Sequence, residues 1–132
     1  MPSNTPKKSK YKLKVKQSNS GLGLFTEEEI PRSEFIIEYF GTHLSSKQAD
    51  EKGGKYLFEI NKNITIDGSS RLNLARYINH SCKPNSRAVL EGKRIFIYSK
   101  RKIKAGEEIN CNYGKDYYER IIKPIGCKCG NH

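Results

Sequence analysis

Short runs of β-forming residues recur along the whole chain, and turn residues separate them. They lie at residues 35–40, 56–60, 64–67, 86–91, 94–99 and 109–113. Runs that are rich in Ile, Tyr, Phe and Val and bounded by Gly, Asn or Asp are typical of strands. Residues 61–63 and 91–93 each carry turn chemistry between two runs, which predicts two hairpins. This pattern restricts the chain to a mainly β fold.

Helical patterns are confined to short insertions. They cover residues 45–53, where Ser45 or Ser46 can cap, a turn at 72–78, and residues 117–122. At 132 residues and 35% hydrophobic content, the chain can build one modest core. We find no repeat and no linker that would divide it. No apolar stretch spans a bilayer and the start lacks a secretory signal, so we expect neither a membrane protein nor Sec export.

The positive charge is concentrated at the start of the chain. The net charge is +11, from 25 basic and 14 acidic residues, and six lysines within residues 1–20 supply +6 of it. Residues 11–17 alternate lysine with apolar residues, which predicts a strand, and residues 1–10 are expected to form a flexible basic segment. Three interpretations of the lysines remain open: protection of an edge strand, attraction to nucleic acid or nucleosomes, and a nuclear-import address.

Four cysteines, Cys82, Cys111, Cys127 and Cys129, are too few and too unevenly spaced for a small disulfide framework. Reduced thiols or a metal site are the expected alternatives.

Three segments carry unusual combinations of residues. Residues 76–85 read R-Y-I-N-H-S-C-K-P-N, and residues 106–114 read G-E-E-I-N-C-N-Y-G. The first could be a helix end capped by Asn79 and stopped by Pro84, but that interpretation does not explain why Asn, His and Cys occur together. In the second, Tyr113 ends a strand just before a glycine. Residues 21–25, G-L-G-L-F, predict a glycine-spaced turn into a strand, a weak signal by itself.

In this order, and with E-Y-F-G at residues 38–41 and Y-L-F at 56–58, these segments resemble the SET domain of protein lysine methyltransferases. The resemblance covers residues 11–129 and suggests a minimal, free-standing type with a short post-SET-like tail. It implies several small curved sheets with short helices and a C-terminal pseudoknot, in which the segment of Asn79 meets that of Tyr113. The implied organisation is a SET domain at 11–118 and a tail at 119–132.

The resemblance also implies an activity: transfer of the methyl group of S-adenosylmethionine to a lysine side chain of a protein. Tyr113 and Tyr39 match the catalytic positions. Tyr39, Phe58 and Cys111 match the substrate channel. The positions that match the cofactor site are Gly21, Leu22, Tyr56, Arg76, Asn79 and His80.

Two departures from the family pattern lead to separate expectations. Cys111 replaces a larger aromatic residue found in many relatives, so the enzyme is expected to go beyond monomethylation. Cys82, Cys127 and Cys129 match three zinc ligands, but the fourth cysteine is missing. His132, a water or a partner could complete a zinc site, or the site could hold no metal.

The expected partner is a histone or another lysine-rich protein, with DNA or nucleosome contact through the basic start. A chain of charge +11 is not steered toward a lysine-rich tail. Either Glu38, Glu51 or Glu59 makes the substrate groove acidic, or DNA attracts the enzyme. We expect a monomer or a homodimer, in the cytoplasm for a bacterial protein and in the host nucleus for a viral or secreted effector. The alternatives are a non-catalytic SET-like binding module and a basic nucleic-acid-binding protein.

Overall fold

The computed structural model describes residues 5–19, 21–53 and 56–112. The helix expected at 117–122, the catalytic candidate Tyr113 and the tail cysteines Cys127 and Cys129 lie outside the described residues. So does His132.

The described residues form ten strands, one α-helix and one 3-10 helix. The helices are α1 (Ser46–Lys52) and the 3-10 helix Leu74–Tyr77. The strands are β1 (Leu13–Ser18), β2 (Gly21–Thr26), β3 (Phe35–Tyr39), β4 (Thr42–Ser45), β5 (Leu57–Asn61), β6 (Ile64–Asp67), β7 (Asn79–His80), β8 (Ser86–Glu91), β9 (Arg94–Ser99) and β10 (Glu108–Cys111). The expected mainly β fold with short helices is confirmed. None of the described helices is long and apolar enough to cross a membrane.

The strands form two sheets. The larger sheet has the order β1-β2-β10-β8-β9-β3, with β7 also paired to β10, and the smaller has the order β4-β6-β5. Both expected hairpins are present: β5 pairs antiparallel with β6, and β8 with β9. Gly92 has a φ of 62°, a left-handed conformation that suits glycine at the second hairpin. The order is not sequential, so β10 lies between strands from both halves of the chain.

One local expectation was wrong, and one strand was missed. Residues 21–25 do not form a turn into a strand, because they belong to β2 itself, which pairs with β1 over its whole length. Strand β4 was not expected, since Thr42–Ser45 has neither an apolar run nor a β-branched pattern. It forms because β6 offers it a full set of antiparallel partners. Helix α1 does begin after Ser45, which forms a capping box with Gln48.

One core of buried aliphatic residues joins the two sheets. The larger sheet contributes buried side chains from β2, β3, β9 and β10. Ile66 of β6 extends the same cluster into the smaller sheet. Its members include Leu24, Ile36, Ile66, Ile95, Ile97, Ile103 and Ile109. Burying a side chain of this size contributes roughly 1.5–3 kcal/mol, so this cluster is the main source of stability.

The chain before β1 lies against β3 and β9. The backbone N–H of Lys7 donates to Glu38 at 2.8 Å, and the Arg94 guanidinium binds the same carboxylate at 2.6 and 2.9 Å. Arg94 also donates to the carbonyl of Thr5 at 3.3 Å. Glu38 is only 4% exposed, so its charge is compensated inside the fold. It therefore does not make a groove acidic, whereas Glu51 and Glu59 are exposed.

Candidate active site

A parallel pairing brings two distant motif segments together. Strand β7 pairs with β10, with Asn79 opposite Asn110 and His80 opposite Cys111. The N–H of Ser81 continues the contact by donating to the carbonyl of Cys111 at 3.0 Å. The N-H-S-C segment thus runs alongside the strand that leads toward Tyr113. The position of Tyr113 itself, outside the described residues, stays a prediction.

Side chains reinforce the junction where backbone pairing is sparse. β10 pairs with β8 only through Cys111 and Ser86. Asn85, 1% exposed, exchanges hydrogen bonds with Asn110 and also donates to the carbonyl of Glu108 at 2.8 Å. These bonds fix the start of β8 against β10.

The Asn79 side chain links β7 to the glycine-rich strand β2. Its Nδ2 donates to the carbonyl of Leu22 at 3.1 Å and to Oε2 of Glu108 at 2.7 Å. The Glu108 carboxylate also accepts from the hydroxyl of Ser18 at 2.7 Å. A Cβ on Gly23 would overlap this carboxylate, so the close approach requires glycine there.

The start of β2 is open. Gly21 has a φ of 99°, which an L-residue rarely adopts, and among the described residues no atom beyond its chain neighbours lies within 4 Å of the position a Cβ would take. Leu22 is 52% exposed although it is a large apolar residue. The structure thus brings three members of the expected cofactor set, Gly21, Leu22 and Asn79, to one accessible place.

Tyr39 and Phe58, two of the expected channel aromatics, pack against each other. Their ring centroids are 5.4 Å apart with the planes at 55°, and Tyr39 is 5% exposed. The Tyr39 hydroxyl donates to the carbonyl of Tyr56 at 2.7 Å. A Cβ on Gly68 would overlap the Tyr39 ring. The ring and the hydroxyl of Tyr39 are therefore held in one position.

Arg76, one of the expected cofactor residues, lies against two tyrosine rings. Its guanidinium lies 4.3 Å from the centroid of the Tyr56 ring and 5.0 Å from that of Tyr77, and Nη1 donates to the carbonyl of Ser69. Its Nε is buried and has no hydrogen-bond partner among the described residues. A buried donor without a partner is costly, so an acceptor from a ligand would relieve it. The 3-10 helix that carries Arg76 packs against both β2 and β3.

Sequence reasoning missed two residues that hold this site. Asn73 is fully buried, accepts from the N–H of Phe40 at 3.2 Å and donates to the carbonyl of Gly68 at 3.0 Å. Glu108 contacts Asn79. For Asn73, the signal in the sequence is a polar residue directly before an apolar turn. For Glu108, the signal is the second of two acidic residues at the start of a strand.

Cys111, the third expected channel residue, is 1% exposed and belongs to the core cluster. Burial raises the pKa of its thiol to about 12, so the thiol is protonated at neutral pH. A buried, protonated thiol behaves as a small and chemically inert side chain. Its role in limiting methylation stays a prediction.

The metal candidates are only partly within the described residues. Sγ of Cys82 lies 3.5 Å from Nε2 of His80, just beyond the end of β7. In residues 5–19, 21–53 and 56–112, no group of three or more His, Cys, Asp or Glu side chains is placed to hold a metal ion. Cys127 and Cys129 lie outside that part of the chain, so the zinc prediction remains untested.

A shallow depression of about 430 Å³ lies on the surface between β4 and the end of β6. Its walls are formed by Pro6, by residues 40–42, and by Asp67, Ser69 and Ser70. It borders Arg76, whose Nη1 donates to the carbonyl of Ser69.

Comparison with known proteins identifies the class. A model of the SET domain matches residues 21–114. Histone-lysine N-methyltransferase set-2 of Caenorhabditis elegans is 42% identical over 123 residues, covering 83% of this chain and 8% of that protein. An H3 lysine-4 specific histone-lysine N-methyltransferase of Schizosaccharomyces pombe is 39% identical over 122 residues, covering 83% and 13%. ASHH3 of Arabidopsis thaliana, also a histone-lysine N-methyltransferase, is 37% identical over 133 residues, covering 90% and 36%.

The chain therefore belongs to the SET-domain family, as the motifs indicated. It spans between 8% and 36% of the length of these three relatives.

Proposed function

We propose that this domain transfers the methyl group of S-adenosylmethionine to a lysine ε-amine in a histone or another lysine-rich protein. The observation that carries the proposal is the parallel pairing of β7 with β10, which sets Asn79 and His80 beside the strand leading to Tyr113. Membership of the SET family and the names of the relatives support the same reaction.

The described residues suit a zwitterionic cofactor such as S-adenosylmethionine. Asn79 uses its amide donors on Leu22 and Glu108, so its Oδ1 remains an acceptor for an ammonium group. The buried Nε of Arg76 is a donor that lacks an acceptor among the described residues. Among the described residues, Gly21 leaves open space next to Leu22, whose carbonyl binds Asn79. The cofactor would be held by Gly21, Leu22, Tyr56, Arg76, Asn79 and His80, and it supplies an activated methyl group when bound.

The chain's own contribution to the reaction is to position the lysine. The Tyr39 and Phe58 rings would sheathe the lysine stem and exclude water, and Tyr113 would orient the amine. Aromatic faces also stabilise methylammonium products. The amine must be neutral to react, and both desolvation and a nearby positive charge lower the pKa of a lysine. A strong general base is therefore not required.

The side chain at position 111 bears on how many methyl groups are added. A cysteine occupies less volume than an aromatic ring, so we propose that the product extends beyond monomethyl-lysine. Mass spectrometry of a peptide product over time tests this, with Cys111→Phe as the comparison. Strict monomethylation by the wild-type protein at high enzyme and cofactor concentrations would contradict it.

The three cysteines Cys82, Cys127 and Cys129 are proposed as zinc ligands, since thiolates are preferred zinc donors. Of these three cysteines, Cys82 lies within the described residues, and its Sγ is close to the cofactor candidate His80. Metal analysis of the purified protein, and activity during titration with a chelator, test this proposal. A metal-free protein with full activity would rule it out.

One experiment tests the reaction itself. The wild-type protein and Tyr113→Phe are incubated with radiolabelled S-adenosylmethionine and with histones, nucleosomes or a cell lysate. Tyr98→Phe is the matched control, because Tyr98 packs against Phe35 in the sheet, away from the site. We expect label in a protein with the wild type and the control and a large loss with Tyr113→Phe. The absence of both labelling and cofactor binding in the wild type would refute the proposed function.

A further inference from the structure

The carboxylate of Glu108 lies at the junction of β1, β2 and β7 and is held by neutral donors. Oε1 accepts from the Ser18 hydroxyl and Oε2 from the Asn79 amide, each at 2.7 Å. Glu108 is half-buried, and none of the ion pairs found in the described residues includes it. By contrast, Glu38 and Glu107 are paired with arginines. A chain of net charge +11 thus keeps one local negative charge beside Asn79.

This arrangement fixes the direction of the Asn79 amide. An amide has two N–H donors, and here they are directed at the Glu108 carboxylate and the Leu22 carbonyl. A flipped amide would turn its oxygen toward two acceptors, which is repulsive. Oδ1 is therefore presented as an acceptor, with a carboxylate behind it. Both features favour a cationic ligand over a neutral one.

We propose that Glu108 is a positioning residue that orients Asn79, and that its charge makes the site favour S-adenosylmethionine over the demethylated product. This rests on the proposed cofactor site. S-adenosylmethionine carries a sulfonium, an ammonium and a carboxylate, a net charge of +1. S-adenosylhomocysteine has lost the sulfonium charge and is neutral overall. A fixed negative charge nearby stabilises the first more than the second.

The functional consequence concerns product release. Methyl transfer removes the sulfonium charge and leaves the ammonium, so the total attraction to the Glu108 carboxylate falls and the spent cofactor is held less tightly than the fresh one. The weaker binding of the product would favour its exchange for fresh cofactor after each transfer.

The test measures the affinities of both ligands by calorimetry. Glu108→Gln keeps the shape and the hydrogen bonding to Asn79 but removes the charge, Glu108→Asp keeps the charge, and Glu107→Gln is a control for loss of a neighbouring acid. We expect Glu108→Gln to reduce the preference for S-adenosylmethionine over S-adenosylhomocysteine about fivefold, the scale of one charge acting over several ångströms. Glu108→Asp and Glu107→Gln should keep the wild-type preference.

Equal weakening of both ligands by Glu108→Gln would mean that Glu108 acts only in folding, and the inference would fall. If Glu108→Gln does not fold, the wild-type protein decides. The wild type should bind S-adenosylmethionine more tightly than S-adenosylhomocysteine, and equal or tighter binding of S-adenosylhomocysteine would overturn the inference. Failure of the wild type to bind either ligand would instead refute the proposed function.

Discussion

Asn85 and Asn110 hydrogen-bond each other reciprocally: the backbone N–H of each donates to the side-chain oxygen of the other, at 2.9 and 3.0 Å. Asn85 is 1% exposed and its Nδ2 also donates to the carbonyl of Glu108. These bonds join β8 to β10 where the two strands share a single backbone pair, Ser86 and Cys111. The last residue of the R-Y-I-N-H-S-C-K-P-N motif therefore has a structural role.

Asn85→Ala should destabilise the domain strongly. The substitution removes hydrogen bonds to two strand positions and leaves the N–H of Asn110 and the carbonyl of Glu108 without these partners. We expect a loss of about 2–4 kcal/mol in the free energy of unfolding. Urea denaturation followed by circular dichroism measures it. Asn63→Ala, at an exposed hairpin position, is the control and should change stability by less than about 0.5 kcal/mol. Equal effects of the two substitutions would contradict this account.

Tyr39→Phe should affect activity more than stability. The carbonyl of Tyr56 accepts from the Tyr39 hydroxyl at 2.7 Å and from the N–H of Gly68 at 2.8 Å, so it keeps one partner after the substitution. The loss of unfolding free energy should be about 1 kcal/mol or less. Tyr56, which lies against Arg76, loses an anchor. We expect methyl transfer to fall severalfold, measured as kcat/KM, and wild-type activity in Tyr39→Phe would exclude a role for this hydroxyl.

Much of the fold could be predicted from the sequence because its strands and hairpins are encoded locally. The hairpin at Gly92 and the cap at Ser45 depend on neighbouring residues alone. Strand β4 depends on its partner β6, and local propensity does not report a partner. Residues 21–25 suggest a turn into a strand because glycine is the typical turn residue, whereas the whole segment lies in β2. Gly23 is instead needed in a strand, to admit the Glu108 carboxylate.

The site was accessible to sequence reasoning only through the motifs. The motifs name Asn79, Tyr39 and Arg76, but the residues that hold them do not stand out from the residue pattern. Asn73 and Glu108 are ordinary polar residues whose contacts arise from the crossing of distant strands. The compensation of Glu38 by Arg94 is of the same kind, because 56 residues separate the two. Tertiary hydrogen bonds between such distant residues can be recognised only when the fold is known.

Cys111 should be unreactive in the folded protein. Because burial raises the pKa of its thiol to about 12, the reactive thiolate is absent at pH 8, and a thiol reagent should modify Cys111 only after denaturation. Mass spectrometry of tryptic peptides identifies the modified residue. Rapid native labelling of Cys111 would contradict its place in the core.

The same pKa shift predicts a pH dependence of stability. A thiol whose pKa is raised in the native state contributes its full share of the free energy of unfolding at pH values below the pKa of the unfolded thiol. That contribution is lost as the pH rises toward the native pKa. Between about pH 9 and 12, the wild type should therefore lose about 1.4 kcal/mol per pH unit that Cys111→Ala does not lose. The difference in unfolding free energy between the two proteins should shrink over this window. A constant difference would rule out the shift.

The exposed lysine side chains before β2 should bind DNA. Deleting residues 1–9 would be expected to weaken activity on nucleosomes more than on free histone, but it would also remove the contacts of Thr5 and Lys7 with Arg94 and Glu38. The cleaner variant replaces Lys8, Lys12 and Lys14 with Gln, since all three side chains are exposed. A protein with Gln at the exposed positions Lys47, Lys62 and Lys93 has the same net charge and serves as the control.

Binding to a short DNA duplex, measured by fluorescence anisotropy across a range of salt, separates the two variants. Each phosphate contact that is lost should lower the slope of log K against log salt by about one unit. We expect this decrease, and a selective loss of nucleosome methylation, in the N-terminal variant alone. Equal changes in both variants would show that DNA responds to overall charge, and protection of the edge strand β1 or a nuclear-import address would then be the roles left for the N-terminal lysines.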